Sequence, residues 1–330
     1  MKALSKGQHR WGFVCGQISV LEGRLMSYDF LMNLGGIEKS EDVLHRLQET
    51  SLREFMVPGA ETWEDWSTII DSYVHSQIDE LKKASPSPEI TDVFLLNEDY
   101  VNLKRAINGK NALFPKNVFS ESRLNEIASG NPALFPEVIR PSISAIANPA
   151  GAQSENPIIT DIVLDGCYLR QYLWLISKLN CPLLKEWSEC RVLSKLIVVL
   201  WRALKAGHNL KIFQQYLLPL EPFNHLISEL CAITELRAWG NIIPGIIGDI
   251  WRECFEVSED EQISKFEQKV SDFITQQVKQ AKLQTMGPER VAAFCWGLNM
   301  EAFNLKLIVS GKLNGLPSNM LKDRIRQTYV

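Results

Sequence analysis

Asp99-Tyr100-Val101-Asn102-Leu103-Lys104 is followed by Gly109, and Glu301-Ala302-Phe303-Asn304-Leu305-Lys306 is followed by Gly311. Both stretches read acid-x-x-Asn-Leu-Lys with a glycine beyond. They lie about two hundred residues apart in the chain. Acid and Asn, spaced three apart, share one face of a helix, and the Lys points elsewhere. A phrase repeated at such a distance marks a chain built from similar units and turns attention from an active site to a surface. Counting back from Gly207 by the spacing of the first copy gives a middle version, Ile197-Val198-Val199-Leu200-Trp201-Arg202. Its acid and Asn have become apolar, and its basic residue persists as Arg202. The expected plan is therefore three helical units of about a hundred residues, at 1–128, 129–226 and 227–330.

The periodicity around these phrases is helical throughout. Val14, Ile18, Leu21 and Leu25 line one face of a helix expected over 11–30, which Gly35-Gly36 closes off. Ser40-Glu41-Asp42 has the composition of a capped start. A helix over 62–83 carries Trp66, Ile69, Ile70, Tyr73 and Ile78, and Ser85-Pro86-Ser87-Pro88 stops it. The next helix opens at Pro88-Glu89, carries the first copy of the phrase and ends at Gly109, a position suited to a left-handed residue. Residues 131–160 hold Pro132, Pro136, Pro141, Pro149 and Pro157, which predicts a surface crossing with one helical turn at most. Helices are expected again over 161–180, 186–206, 242–256, 258–284 and 288–310, with shorter ones over 212–235 broken by Pro219 and Pro222. No run alternates as a strand would, so the fold class is all-α.

The composition excludes several functions. The formal net charge is −4, which removes the basic footprint of a nucleic-acid binder and any general pull toward anionic lipid. The apolar runs around Leu196–Trp201 and Ile242–Ile250 are too short to span a bilayer, so contact with a membrane is expected only through a partner. The start, Met1-Lys2-Ala3-Leu4-Ser5-Lys6-Gly7, has no apolar run and reads as no secretory signal. Seven cysteines without a CxxC pair read as reduced thiols. The five histidines are scattered without HxxxH or HExxH spacing, so no metal is expected and each His reads as exposed. Neither Gly35-Gly36 nor Pro244-Gly245-Ile246-Ile247-Gly248 has the lysine and strand of a phosphate cradle. No cofactor and no catalytic group are expected.

The residues to watch are those of the phrase: Asp99, Asn102, Lys104, Arg202, Glu301, Asn304 and Lys306. The acid and Asn can cross-link neighbouring helices in the core of a unit, or they can face a partner. Ile197 and Leu200 in the middle copy favour the core role, since they fill the same space without hydrogen bonds. Nine tryptophans should mostly fill the core, and an exposed one would mark a binding surface.

The chain resembles the C-subunit family of the V-type ATP synthases, which includes the d-type stalk protein of the eukaryotic V-ATPase. The likeness is carried by Gly287-Pro288-Glu289, by Glu301 to Lys306, by Gly311-Lys312-Leu313-Asn314-Gly315-Leu316-Pro317 and by the final Arg324-Ile325-Arg326. Gly12 to Leu25 is similar to the family's first helix, and Asp99 to Lys104 to its D-x-x-N-L-K motif. In the second repeat this chain has Ile197 and Leu200 where the family usually keeps Asp and Asn. The resemblance implies a pseudo-threefold helical funnel without an active site, seated on the cytoplasmic side of a membrane. There it would join central-shaft subunits of the D and F type to the membrane rotor ring and pass torque between them. A helical-repeat adaptor is the alternative reading, although units of this length exceed the usual ~20–50 residues of a solenoid repeat.

Overall fold

The computed structural model describes residues 8–108, 110, 113–114, 119, 133, 135–147 and 157–330. Among the described residues the chain is helical with no strand, and no helix is long and apolar enough to cross a membrane. The helices are α1 (Gly12–Leu21), α2 (Tyr28–Gly36), α3 (Ser40–Leu47), α4 (Trp63–Ala84), α5 (Glu89–Ile107), α6 (Arg140–Ala147), α7 (Pro157–Lys178), α8 (Pro182–Lys205), α9 (Leu210–Leu217), α10 (Asn224–Ala232), α11 (Gly245–Glu253), α12 (Gln262–Lys279), α13 (Pro288–Leu313) and α14 (Ser318–Lys322).

Their ends follow local chemistry. Thr62 starts α4 with a reciprocal capping box, its hydroxyl accepting from the Asp65 N–H while the Asp65 carboxylate accepts from the Thr62 N–H. Ser27 caps α2 by accepting from the Phe30 N–H at 3.2 Å. That cap explains why the helix expected over 11–30 is broken: the chain turns extended at Leu25 and restarts at Tyr28. Ser40 lies inside the first turn of α3 and does not cap it. The proline-rich stretch holds more helix than expected. Pro141 occupies the first turn of α6, where a missing N–H costs nothing, and Pro157 opens α7. Parts of 131–160, and Gly109, lie outside the described residues.

Two compact units are formed. The first gathers Met1–Phe94, Cys181–Trp187 and Glu267–Val330, and the second gathers Leu95–Asn180 and Ser188–Phe266. In the first, α13 packs along α4 and also meets α1 and α3, while α14 lies on α2. Trp66, Leu31, Leu34, Phe294 and Leu305 are fully buried there. Because α13 is apolar nearly all round, it is the element this core surrounds. In the second unit α7 packs against α6 and α9. An aromatic run, Tyr168–Tyr100–Phe119–Phe135, joins its rings edge to face or tilted at centroid distances of 5.6, 5.6 and 5.3 Å. Trp66, Trp187, Trp239, Trp251 and Trp296 are buried, as expected of core filler, whereas Trp174 is exposed. His75 departs from the expectation for histidines: it lies on the packed face of α4 and is buried.

Candidate functional site

Three helices end in the same way. At the end of α8, Gly207 adopts φ +80°, its N–H donates to the Leu204 carbonyl, and the His208 N–H donates to the Ala203 carbonyl at 3.1 Å. At the end of α13, Gly315 adopts φ +69°, its N–H donates to the Lys312 carbonyl, and the Leu316 N–H donates to the Gly311 carbonyl at 2.8 Å. After α5 the Lys110 N–H reaches the Arg105 carbonyl at 2.8 Å in the same pattern. The glycine that ends α13 is thus Gly315, one helical turn beyond Gly311, which the sequence spacing pointed to. Gly311 stays helical for another reason: a Cβ there would come within 2.3 Å of the Leu321 side chain, so α14 rests directly on its backbone.

The two Asn residues of the phrase have matching partners. The Asn102 carbonyl oxygen accepts from the N–H groups of Leu113 and Phe114 at 2.8 and 3.0 Å, and its amide donates to the Phe114 carbonyl at 3.0 Å. The Asn304 carbonyl oxygen accepts from the Arg326 N–H, and its amide donates to the Arg326 carbonyl, both at 2.9 Å. Each Asn is buried and holds the chain that returns after its own helix, not a neighbouring helix. The side-chain amide imitates a peptide group, offering one acceptor and one donor to a backbone that has neither ladder nor helix partner.

The cross-link between helices comes from the Lys. Lys104 on α5 meets Asp165 and Asp161 of α7 at 2.8 and 3.5 Å, and Lys306 on α13 meets Asp71 of α4 at 2.5 Å. Burial raises the Asp165 carboxyl above the usual range, against the pull of Lys104. Of the residues read as the middle copy, Ile197 and Leu200 are fully buried and Arg202 is exposed. Arg202 and Lys104 come together on a cleft of about 250 Å³, with Asp161, Asp165 and His208 as its other polar walls.

The acids of the phrase are both buried. The Met26 N–H donates to Glu301 Oε2 at 2.6 Å, which ties α13 to the entry of α2. Glu301 Oε1 has no hydrogen-bond partner among the described residues, although the Tyr73 hydroxyl lies close enough to favour the charged form. Burial outweighs both groups and pushes the carboxyl up to about 7.

One cluster was not anticipated from the sequence. Glu22, at the end of α1, accepts from Arg290 at 2.8 Å and from the Tyr329 hydroxyl at 2.6 Å, and the Lys282 ammonium stands 4.5 Å from the Tyr329 ring centre. This ties the first helix, the start of α13 and the chain end into one knot. Its signal was available, since Glu22 is the first charge after an uncharged helix and needs a partner if it is half-buried. Among the described residues no group of three His, Cys, Asp or Glu could hold a metal.

Fold and contacts together define an all-helical scaffold in which buried polar side chains fasten returning chain and neighbouring helices. Residues 14–324 match the ATP synthase (C/AC39) subunit family, and the chain belongs to it. It is similar to the C-type subunit of the V-type sodium ATPase of Enterococcus hirae, with 22% identity over 93% of this chain and 95% of that protein.

Proposed function

We propose that the chain is a non-catalytic central-stalk component of a V-type rotary ATPase. It links shaft subunits of the D and F type to the membrane rotor ring and transmits torque for ATP-coupled proton or sodium transport. Its place is peripheral, on the cytoplasmic side. The observation that carries this reading is the family match over 14–324. The physics agrees: a torque-bearing part must resist bending, and close-packed helices with pinned ends do so. Asn102 and Asn304 each fix the strand of chain leaving a helix, where a bundle is softest.

The division into units at 1–128, 129–226 and 227–330 around a pseudo-threefold axis is part of the same proposal. It is supported by the shared ending of α5, α8 and α13. A measured structure of the assembled rotor with these three helices at threefold-related positions is expected. Positions without that symmetry would overturn the three-unit plan. The function itself is tested by adding the purified chain to shaft subunits and to detergent-solubilised ring. A ternary complex that needs the chain is expected, and shaft bound to ring equally well without it would sink the reading.

A further inference from the structure

Helix α1 carries no charged residue in its ten positions. A helix without charges normally lies largely inside a protein. Here only its inner half does: Val14, Cys15 and Ile18 are buried, while Phe13 and Val20 are 70% and 64% exposed. At 100° per residue, Phe13, Gly16 and Val20 fall within an arc of roughly 60°. Gly16 makes a notch between the two large side chains, since a Cβ there would meet nothing within 4 Å. One edge of this face is walled by the segment leading into α13. Met286 Sδ is 3.6 Å from a Cβ built on Gly12, and Arg290 donates to the Ser19 hydroxyl at 3.3 Å. Leu283 in that segment is 87% exposed, the most exposed large apolar residue of the chain's described part.

The ends of the face are cationic. Arg10 precedes α1 and Arg24 follows it, both exposed, and no carboxylate among the described residues pairs with either. That charge pattern selects the occupant. A second copy of this chain packed α1 on α1 about a two-fold axis would bring Arg10 of one copy against Arg24 of the other, cation against cation. An anionic lipid surface would meet a chain of net charge −4. A partner helix with an apolar, uncharged centre and carboxylates at its flanks satisfies both the notch and the rim.

We propose that the outer face of α1, formed by Phe13, Gly16 and Val20, docks an apolar helix of another protein chain whose flanks carry carboxylates that meet Arg10 and Arg24. The identity of the partner as a rotor component rests on the reading under "Proposed function". The test places a photo-reactive benzoylphenylalanine at Phe13, and separately at Val20, in the full chain assembled with shaft subunits and solubilised ring. Irradiation is expected to join both positions to the same partner, and the same group at exposed His225 should not. Phe13→Glu should weaken assembly at least tenfold while its thermal unfolding stays that of the parent, Phe13→Leu should restore it, and Arg24→Glu should weaken it in a salt-dependent way. Assembly that proceeds with Phe13→Glu undiminished and with no cross-link from α1 overturns this face and leaves the functional reading standing. A chain that joins neither shaft nor ring removes the functional reading and this inference with it. Cross-linking to a second copy, or flotation of the chain with phosphatidylserine vesicles that Phe13→Glu abolishes, assigns the face to a different occupant and overturns the proposal.

Discussion

Asn304 and Glu301 sit one turn apart on α13 and do opposite things to stability. Asn304 satisfies a half-buried peptide N–H and carbonyl of Arg326 that would otherwise lose these partners. Asn304→Ala should therefore cost about 1–3 kcal/mol per group left unpaired, read as a lower denaturant midpoint with an unchanged slope. Glu301 carries an ionisation cost. Its carboxyl is raised from 4.5 to about 7 by burial. Between these values the unfolded chain releases its proton while the folded chain keeps it, so the unfolded state binds fewer protons and stability falls as pH rises. This contribution is fully present below 4.5 and lost as pH passes through about 7. Glu301→Gln keeps an oxygen for the Met26 N–H and cannot ionise, so the variant should gain on the parent as pH is taken from 5 to 8. Parallel stability curves across that range would contradict the assignment.

At the scale of the element, the helix ends decide how the units close. Gly315 needs its left-handed φ, and Gly315→Ala should cost about 1 kcal/mol through strain alone. Gly311→Leu should cost more, because its side chain would have to displace Leu321 and with it α14. A thermal melt comparing the two variants separates backbone strain from lost packing, and a milder effect at 311 than at 315 would refute the close approach. The helices themselves were legible in the sequence because apolar spacing and proline punctuation act locally. The likeness of Asn102 and Asn304 was legible too, through the phrase that carries both. The contacts of these residues were not. Nothing in acid-x-x-Asn says that the amide will grip returning chain, since Leu113 and Arg326 reach it only after the chain has turned back. Gly311 misled for a similar reason. A glycine after a helical phrase reads as a stop, but this one serves an approach by Leu321 that only the packed structure reveals. The break after α1 was readable in hindsight from Ser27, and the burial of His75 was not, because its face of α4 is covered by elements distant in sequence.

At the scale of the molecule, the segment 326–329 behaves as a structural part. Arg326 is held by Asn304, the Gln327 N–H donates to Asp272 at 2.7 Å, and the Tyr329 hydroxyl donates to Glu22. Tyr329→Phe should cost roughly 1.5–3 kcal/mol, the scale of a hydrogen bond to a charged group. Removal of 326–330 should release the first unit's core and be seen as lost cooperativity in unfolding. Such pinning suits the torque-bearing role proposed above. The most direct test of that role is ion pumping by the reassembled rotary complex with and without this chain. ATP-driven pumping that requires the chain, while the detached headpiece still hydrolyses ATP in its absence, is the expected result. Pumping that continues unchanged when the chain is left out would contradict the account.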